Sequence, residues 1–270
     1  MTAQATGKWN KYVTAGLIMT GTAVLLGFLA FFWTPCSTTA MSLSEKFKAP
    51  SLSHLFGTDN FGRDIFSRVM KGMGTTITIS VLVVLLSATV GILLGALTGY
   101  FGGVVDEIVM RVTDAVNGFP SILLALVAVS VLGSGRQNLI LSLGIVFSPS
   151  YIRIVRSEYL RLRDADYIKR ARLMGVGKCR ILFVHILPNI LPVFWVSVMI
   201  GLNNAILAES GMSYLGIGVQ PPNASLGNML SDAQGYLQTA PWCALAPGLA
   251  IVWIVLGFSL FSEGIGRLGE

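Results

Sequence analysis

Six stretches of mainly apolar residues recur along the chain, and the polar stretches between them hold most of its charges. The apolar stretches cover residues 12–33, 75–105, 121–132, 138–154, 190–208 and 242–261. An α-helix needs about 20 such residues to cross a hydrocarbon core, and most of the six are near this length. The third is short unless Asn117 and Gly118 are counted with it. The pattern predicts an all-α, polytopic membrane protein with six transmembrane helices in a single domain, residues 1–270.

Composition fits a chain that lies in a lipid bilayer. Of the 270 residues, 53% are hydrophobic and 12% are charged, and the mean hydropathy is +0.71. Charged residues make up about a quarter of an ordinary soluble domain, so that class is excluded. The net charge of +6 does not indicate nucleic-acid binding, because the positive residues cluster between apolar stretches without interleaved aromatic residues.

The second apolar stretch carries small residues at every fourth position, namely Ser87, Gly91, Gly95, Gly99 and Gly103. This spacing places them on one helical face. Small residues let two helix backbones approach closely in lipid, where apolar burial gives little driving force between helices. The stripe therefore predicts close packing against another helix.

Polar residues inside two later stretches are candidates for a translocation path. Ser148, Pro149 and Ser150 predict a kinked and partly polar fourth span, and Asn203 and Asn204 lie in the fifth. Polar groups at membrane depth are costly unless they face protein or water. Hydrogen bonding between helices explains the two asparagines equally well.

The longest charge-dense segment separates the fourth and fifth spans, and we call residues 157–187 the basic loop. Nine of the 19 Lys and Arg residues fall between Arg153 and Arg180. Within the loop, small and apolar residues follow helical spacing and predict a shallow stripe that lies against another protein; they are Ala165, Ile168, Ala171 and Gly175. Glycines at 175 and 177 are expected to end this helix, and a second short helix over 178–187 returns the chain to the membrane.

The basic loop resembles the cytoplasmic coupling loop of ABC importer permeases. In that pattern Glu-Ala-Ala is followed after three residues by Gly and after nine more by Ile-x-Leu-Pro. The matching residues here are Ala171, Gly175, Ile186, Leu187 and Pro188, whereas Lys169, Arg170 and His185 depart from it. Three other segments resemble the C-type permeases of dipeptide, oligopeptide and nickel importers: the Gly-Thr-Asp-x-x-Gly-Arg-Asp-x-x-Ser-Arg run at 57–68, the charged stretch at 102–114 and the Gly-rich run at 210–222.

The resemblance covers nearly the whole chain and implies a type I ABC importer permease fold of the MetI-like kind. It implies a homologous second permease in a heterodimer, one or two ATPase subunits that bind ATP and magnesium, and an extracytoplasmic substrate-binding protein. This chain itself would hold no cofactor. The residues expected to couple it to the ATPase are Ala165, Ile168, Ala171, Gly175, Leu187 and Pro188. Nickel, a metal chelate and di- or oligopeptides remain open as substrates, and the short tails favour nickel or a chelate slightly.

Orientation follows from the positive charges. If both termini and the basic loop are cytoplasmic, 13 of the 19 Lys and Arg residues lie inside. The chain is then a multi-pass protein of the bacterial inner membrane. An ATPase-independent channel or a membrane scaffold is the alternative.

Residues that would indicate an enzyme or a metal site do not form a recognisable motif. The run at 175–179 is not a P-loop, because Arg172 stands where glycine is needed and Cys179 replaces Ser or Thr. The cysteines at 36, 179 and 243 lack metal-ligand spacing, and pairing of Cys36 with Cys243 stays open. His54, without a partner in sequence, is interpreted as a turn residue. The sequence therefore predicts no catalytic and no metal-binding residue.

Overall fold

The computed structural model describes residues 5–266, and it describes their side chains over 11–264. In this range the chain is helical, and its one β feature among the described residues is an isolated bridge between Thr58 and Asp64. The α-helices are α1 (Ala5–Leu29), α2 (Ile65–Phe101), α3 (Gly103–Asn117), α4 (Ser121–Leu132), α5 (Arg136–Leu162), α6 (Asp166–Leu173), α7 (Lys178–Arg180), α8 (Leu187–Tyr214), α9 (Leu226–Ala233) and α10 (Trp242–Gly266). A π-helical segment (Ile181–Ile186) joins α7 to α8.

Five helical stretches of the described chain are long and apolar enough to cross a membrane. They lie in α1, α2, α5, the continuous run Lys178–Tyr214 and α10. A sixth span is obtained if α3 and α4 are counted together, although they meet at a bend of 94°. The all-helical, membrane-spanning class predicted from hydropathy is therefore confirmed.

Helix α2 begins ten residues before the predicted second span. Asp64 caps its N-terminus by accepting a 2.8 Å hydrogen bond from the backbone N–H of Ser67, which satisfies an otherwise free donor. The helix ends at Phe101, where Gly102 takes a φ of 66° that side-chain-bearing residues rarely adopt. Residues 65–70, at the end of the Gly-Thr-Asp motif and just after it, form the first turns of α2.

Residues 106–114, which belong to the charged stretch noted in the sequence, form most of α3. Their charges are paired rather than left to solvent alone. The guanidinium of Arg156 on α5 donates to Asp106 at 2.6 Å, and Arg153 donates to Asp114 at 2.6 Å. These ion pairs hold α3 against α5 and compensate the charges of its two aspartates.

The fifth span is longer than predicted and has no separate short helix before it. The predicted helix over 178–187 runs through the π-helical segment into α8, which continues to Tyr214. Pro188 lacks an N–H and its ring clashes with the carbonyl four residues earlier. The wider π turn just before it, in which the N–H of Leu187 bonds to the carbonyl of Leu182, gives the ring space.

Two stretches at the N-terminal end of α2 form a structure that we call the cap, residues 34–64 and 215–241. Asp59 accepts from the backbone N–H of Phe61 and pairs with Arg63 at 2.6 Å. The indole N–H of Trp242 donates to the carbonyl of Thr58 at 3.3 Å, which joins the cap to α10. The Gly-Thr-Asp motif therefore builds the cap from its own hydrogen bonds.

A fully buried carboxylate holds the second half of the cap. Glu209, near the end of α8, is 0% exposed and accepts a 2.7 Å hydrogen bond from the hydroxyl of Ser213. The same hydroxyl accepts from the N–H of Val219 at 3.2 Å. The chain thus continues as helix from Glu209 to Tyr214, and the segment that follows is hydrogen-bonded back onto α8 at Ser213.

Candidate functional site

The predicted small-residue stripe lies against α5, and the two helices meet one turn at a time. The contacts pair Gly91 with Tyr151, Gly95 with Val155 and Gly99 with Tyr159. A Cβ added at the three glycines would lie 2.3, 2.7 and 2.6 Å from the Cβ of the facing residue, closer than two carbons can approach. The hydroxyl of Ser87 extends the contact by donating to the carbonyl of Gly144 on α5 at 2.9 Å.

Gly103 does not belong to this surface. It follows the break at Gly102 and begins α3, and a Cβ added there would meet no atom within 4 Å. Its φ of 63° makes it a turn residue between two helices. The four-residue spacing continued past the end of α2 by coincidence, so its inclusion in the stripe was wrong.

A polar pocket opens beside α5 and α8 at the bend between α3 and α4. Its volume is about 490 Å³. Its polar lining comes from Asn117, Ser121, Ser150 and Asn204. A second pocket of about 510 Å³ shares Asn204 and adds Asn203, Ser259, Ser262 and Glu263. Amide and hydroxyl groups can both donate and accept hydrogen bonds, so the wall of the first pocket suits a polar solute. The second pocket is more apolar, because Val196 and Ile200 also line it.

The five residues predicted for the path fall into two groups. Ser150, Asn203 and Asn204 line one or both pockets. Ser148 is buried with its hydroxyl donating to the carbonyl of Ile145 at 2.7 Å, and Pro149 is buried beside it inside the continuous helix α5. These two therefore lie behind the wall of the pockets.

Asn203 has an open acceptor. Its amide oxygen is buried and finds no hydrogen-bond partner among the described residues. Buried acceptors are normally satisfied, and exceptions occur where a solute or water completes the bond.

Asn117 and Ser121 also line this pocket, but they were not among the residues predicted for the path. They reach the pocket only because the chain bends at Gly118–Pro120, a break that its Gly-Phe-Pro sequence signals.

The predicted stripe of the basic loop faces its own chain. Ile168, in the middle of α6, is 0% exposed, and Ala165 and Ala171 are partly buried. The expectation that Ile168 contacts another protein was therefore wrong, because it fills the space between α6 and the π-helical segment.

Gly175 ends α6 in a left-handed turn. Its φ is 77°, and its N–H donates to the carbonyl of Arg172 while the N–H of Val176 donates to the carbonyl of Ala171. This pair of bonds is a Schellman motif, which needs a residue that tolerates positive φ. A Cβ at Gly175 would meet no atom within 4 Å, so backbone conformation rather than space restricts this position.

The apolar residues that the loop does expose lie just before this turn. Leu173 is 88% exposed and Met174 is 83% exposed, and Tyr167 is 42% exposed on the same helix. They are out of phase with the predicted stripe and were missed. Two large apolar side chains held in solvent beside a rigid turn are suited to contact a partner.

Several contacts fix the basic loop to the C-terminal end of α2. The guanidinium of Arg172 lies 5.2 Å from the ring centre of Tyr100, and the ammonium of Lys178 lies 5.8 Å from that of Phe101. Leu187 is partly buried where α8 begins, and Pro188 is exposed in the first turn of that helix. The loop is therefore held against the helix ends.

The described cysteines are free thiols. Cys36 is partly buried in the cap, Cys179 is exposed in the basic loop and Cys243 is buried at the start of α10. Cys36 and Cys243 are not paired with each other.

The sequence matches one family over most of its length. The family described as "Binding-protein-dependent transport system inner membrane component" matches residues 91–268. The dipeptide transport system permease protein DppC of Alkalihalophilus pseudofirmus is 38% identical over 258 residues, covering 96% of this chain and 85% of that protein. The glutathione transport system permease protein GsiD of Pectobacterium atrosepticum is 38% identical over 218 residues, covering 81% of this chain and 72% of that protein.

A solved structure is similar in fold. A chain from inward-facing conformations of the MetNI methionine ABC transporter superposes with a TM-score of 0.62 at 18% identity, covering 75% of this chain and 96% of that chain. At this identity the likeness shows the fold, and the fold is the MetI-like permease fold expected from the sequence.

Proposed function

Because the chain belongs to the family of binding-protein-dependent transport system inner membrane components, we propose that it forms half of the translocation path of an ATP-driven peptide importer. Membership makes it a non-catalytic, multi-pass subunit of the inner membrane that works with an ATPase and a binding protein. The proposal adds a homologous second permease as the other half, and one or two ATPase subunits that hold ATP and magnesium.

The polar pocket is the observation that carries the proposal. It lies on a membrane-spanning helix pair, and its polar lining is made of amides and hydroxyls rather than of clustered charges. Peptide groups need both donors and acceptors, which Asn117, Ser150 and Asn204 offer. If a second permease packed against this side of the chain, the pocket wall and the partner together would enclose a path.

Short peptides are the substrate class that this lining and the relatives support. The relatives named above are dipeptide and glutathione permeases by name. The slight preference for nickel drawn from chain length gains no support from them. The pocket at the α3–α4 bend also has no His, Cys, Asp or Glu in its wall, so a bare metal ion would find no ligand set there.

In the proposed orientation the basic loop is cytoplasmic and the cap is extracytoplasmic. They lie at opposite ends of α2, whose 37 residues span about 55 Å, enough to pass through the bilayer and both interfaces. The excess of positive residues at the basic loop supports this direction. The cap would then face the binding protein.

The basic loop would transmit the movement of the ATPase through α6. Ala165, Ile168 and Ala171 lie on the side turned to the chain itself, and Gly175 and Pro188 set the turns on either side. Leu173 and Met174 form the surface that an ATPase groove would receive. The predicted coupling residues thus hold α6 in place, and the two residues that touch the partner were not among them.

A photo-crosslinker tests the coupling assignment. Replacing Leu173 with a photoreactive amino acid in native membranes is expected to capture an ATPase subunit, identified by mass spectrometry. The matched control is Leu52, which is 100% exposed in the cap and should capture none. Capture of lipid alone from position 173 would favour an ATPase-independent channel or scaffold.

Uptake tests the substrate class separately. Cells or proteoliposomes with the complete importer should accumulate a labelled dipeptide, and unlabelled peptides should compete. Labelled nickel, with and without a chelator, is measured in the same preparation. Nickel uptake that peptides do not inhibit would overturn the peptide assignment without touching the coupling assignment.

A further inference from the structure

Three metal-ligating side chains from separate parts of the cap meet at the N-terminus of α2. Cys36 follows α1, His54 lies in the middle of the first cap segment and Asp64 is the residue before α2. The thiol sulfur, a ring nitrogen and a carboxylate oxygen all lie within 4.8 Å of one another. The sequence concealed this group, because the members are 18 and 10 residues apart and follow no motif.

The histidine ring is held between two carboxylates. Its Nδ1 lies 2.9 Å from an oxygen of Asp64, and its Nε2 lies 3.6 Å from an oxygen of Glu45. The side chains of His54 and Asp64 are 12% and 3% exposed, so the group is largely shielded from water. The other oxygen of Glu45 pairs with Lys48 at 2.9 Å.

Backbone contacts fix the cysteine beside this pair. The N–H of Cys36 donates to the hydroxyl of Ser67 in the first turn of α2 at 3.0 Å. The hydroxyl of Thr34 donates to the carbonyl of Cys36 at 2.8 Å. The thiol is therefore placed by the fold rather than by a freely moving loop.

We propose that Cys36, His54 and Asp64 bind one divalent metal ion of the zinc class, with a water molecule in the fourth position. A thiolate, an imidazole nitrogen and carboxylate oxygens are the donors that Zn²⁺ takes in tetrahedral sites. On binding, the thiol releases its proton to solvent, and the thiolate and the Asp64 carboxylate neutralise the ion. No electron is transferred.

Metal binding requires the three ligand atoms to move only slightly closer to one another. Metal–ligand bonds of about 2.0–2.3 Å place tetrahedral ligand atoms about 3.3–3.8 Å apart, roughly 1 Å nearer than the outer limit of the present group. Side-chain rotation supplies this. Asp64 can contribute the oxygen that faces the histidine, because its other oxygen accepts the capping bond from Ser67.

The proposed ion would stabilise the structure of the cap and would not take part in substrate binding. None of its ligand residues lines either polar pocket. The ion would instead join the segment after α1, the middle of the cap and the first turn of α2. The inference therefore stands whichever substrate the importer carries.

Cobalt is the probe that reports on the sulfur ligand. The full chain is purified without a histidine tag, together with the subunits expressed with it, stripped with a chelator and titrated with Co²⁺. The expected result is one equivalent of ion per chain and a near-ultraviolet thiolate-to-cobalt charge-transfer band that Zn²⁺ abolishes. Stoichiometric binding without this band, or no binding, would overturn the proposal.

Variants localise the site. Cys36→Ser and His54→Gln should each weaken cobalt binding by at least about tenfold, whereas Cys179→Ser should leave it unchanged. The assignment would be wrong if all three substitutions weakened cobalt binding equally, or if none of them weakened it. If a variant fails to fold, the wild-type protein decides: Zn²⁺ should protect Cys36 but not Cys179 from alkylation, as measured by mass spectrometry.

Discussion

The hydroxyl of Tyr159 donates a 3.0 Å hydrogen bond to the carbonyl of Leu182, which ties the end of α5 to the π-helical segment after the basic loop. Tyr159 is fully buried, and its Cβ is also the atom that faces Gly99 on α2. One side chain thus takes part in the glycine-lined packing and in the anchoring of the loop. This residue therefore offers one direct route by which a displacement of the basic loop reaches α5 and α2.

Removing only this hydroxyl should weaken the connection while leaving the packing intact. In Tyr159→Phe the carbonyl of Leu182 keeps the hydrogen bond from the N–H of Leu187 but loses the one from the tyrosine hydroxyl, at a cost of about 0.5–1.5 kcal/mol. We expect a lower unfolding midpoint and peptide uptake that falls more than ATPase activity does. Both are measured on the reconstituted importer, and an unchanged ratio of uptake to hydrolysis would contradict the role in coupling.

The α2–α5 contact predicts a steric limit at Gly91. In Gly91→Ala the new Cβ would lie 2.3 Å from the Cβ of Tyr151 and 3.0 Å from its carbonyl carbon, so the helices must separate. Overpacking of this kind costs about 1–3 kcal/mol. The unfolding midpoint in detergent should fall for this variant and not for Gly21→Ala, whose Cβ meets no atom within 4 Å. Equal midpoints would refute the close contact.

The sequence predicts the spans well and their ends poorly. Hydropathy marks the residues that lie in lipid, and it locates α4 at its observed bounds, residues 121–132. Helix ends depend instead on caps and breaks. The N-cap at Asp64 lets α2 begin before the predicted span. The positive φ of Gly102 ends the helix at Phe101, before the predicted end of the span at residue 105.

Contacts between distant residues account for the other misses. Asp106 is helical because Arg156, 50 residues later, pairs with it, and no local pattern contains that information. Helical spacing correctly groups Ile168 with Ala171, but it cannot say whether the shared face meets this chain or another one. The cluster of Cys36 and His54 is hidden for the same reason.

Gly175 should tolerate a residue that accepts positive φ. Asn adopts the left-handed region far more readily than Val, which is β-branched. Gly175→Val should lose about 1–2 kcal/mol in the turn and most peptide uptake, whereas Gly175→Asn should keep most of it. Transport rates at matched membrane levels test this. If both variants lose uptake equally, any side chain at position 175 must obstruct the contact with the ATPase, and backbone conformation is not the cause.

The thiol of Cys36 should react only at elevated pH when the ion is removed. Burial, reinforced by the negative charges of Asp64 and Glu45, raises the pKa of this thiol above its ordinary value. A raised pKa means less thiolate at a given pH, so the pH–rate profile for alkylation should move upward. Glu45→Gln removes one of the charges and should move the profile back. A midpoint unaffected by that change would show that Glu45 does not face the thiol.

Asn204 is the residue whose loss should most directly affect transport, because it lines both polar pockets. In Asn204→Leu the number and branching of the side-chain heavy atoms are kept, but the amide NH₂ donor and the carbonyl acceptor are lost. A neutral hydrogen bond contributes about 0.5–1.5 kcal/mol, so the apparent KM for a dipeptide should rise about two- to twelvefold. Val193→Leu, on the same helix, 44% exposed and outside both pocket walls, provides the matched control and should leave KM unchanged. Since neither substitution touches the basic loop, ATPase binding should persist in both. A KM that stays constant in Asn204→Leu would mean that the peptide passes elsewhere, and the two asparagines would then serve only to bond neighbouring helices.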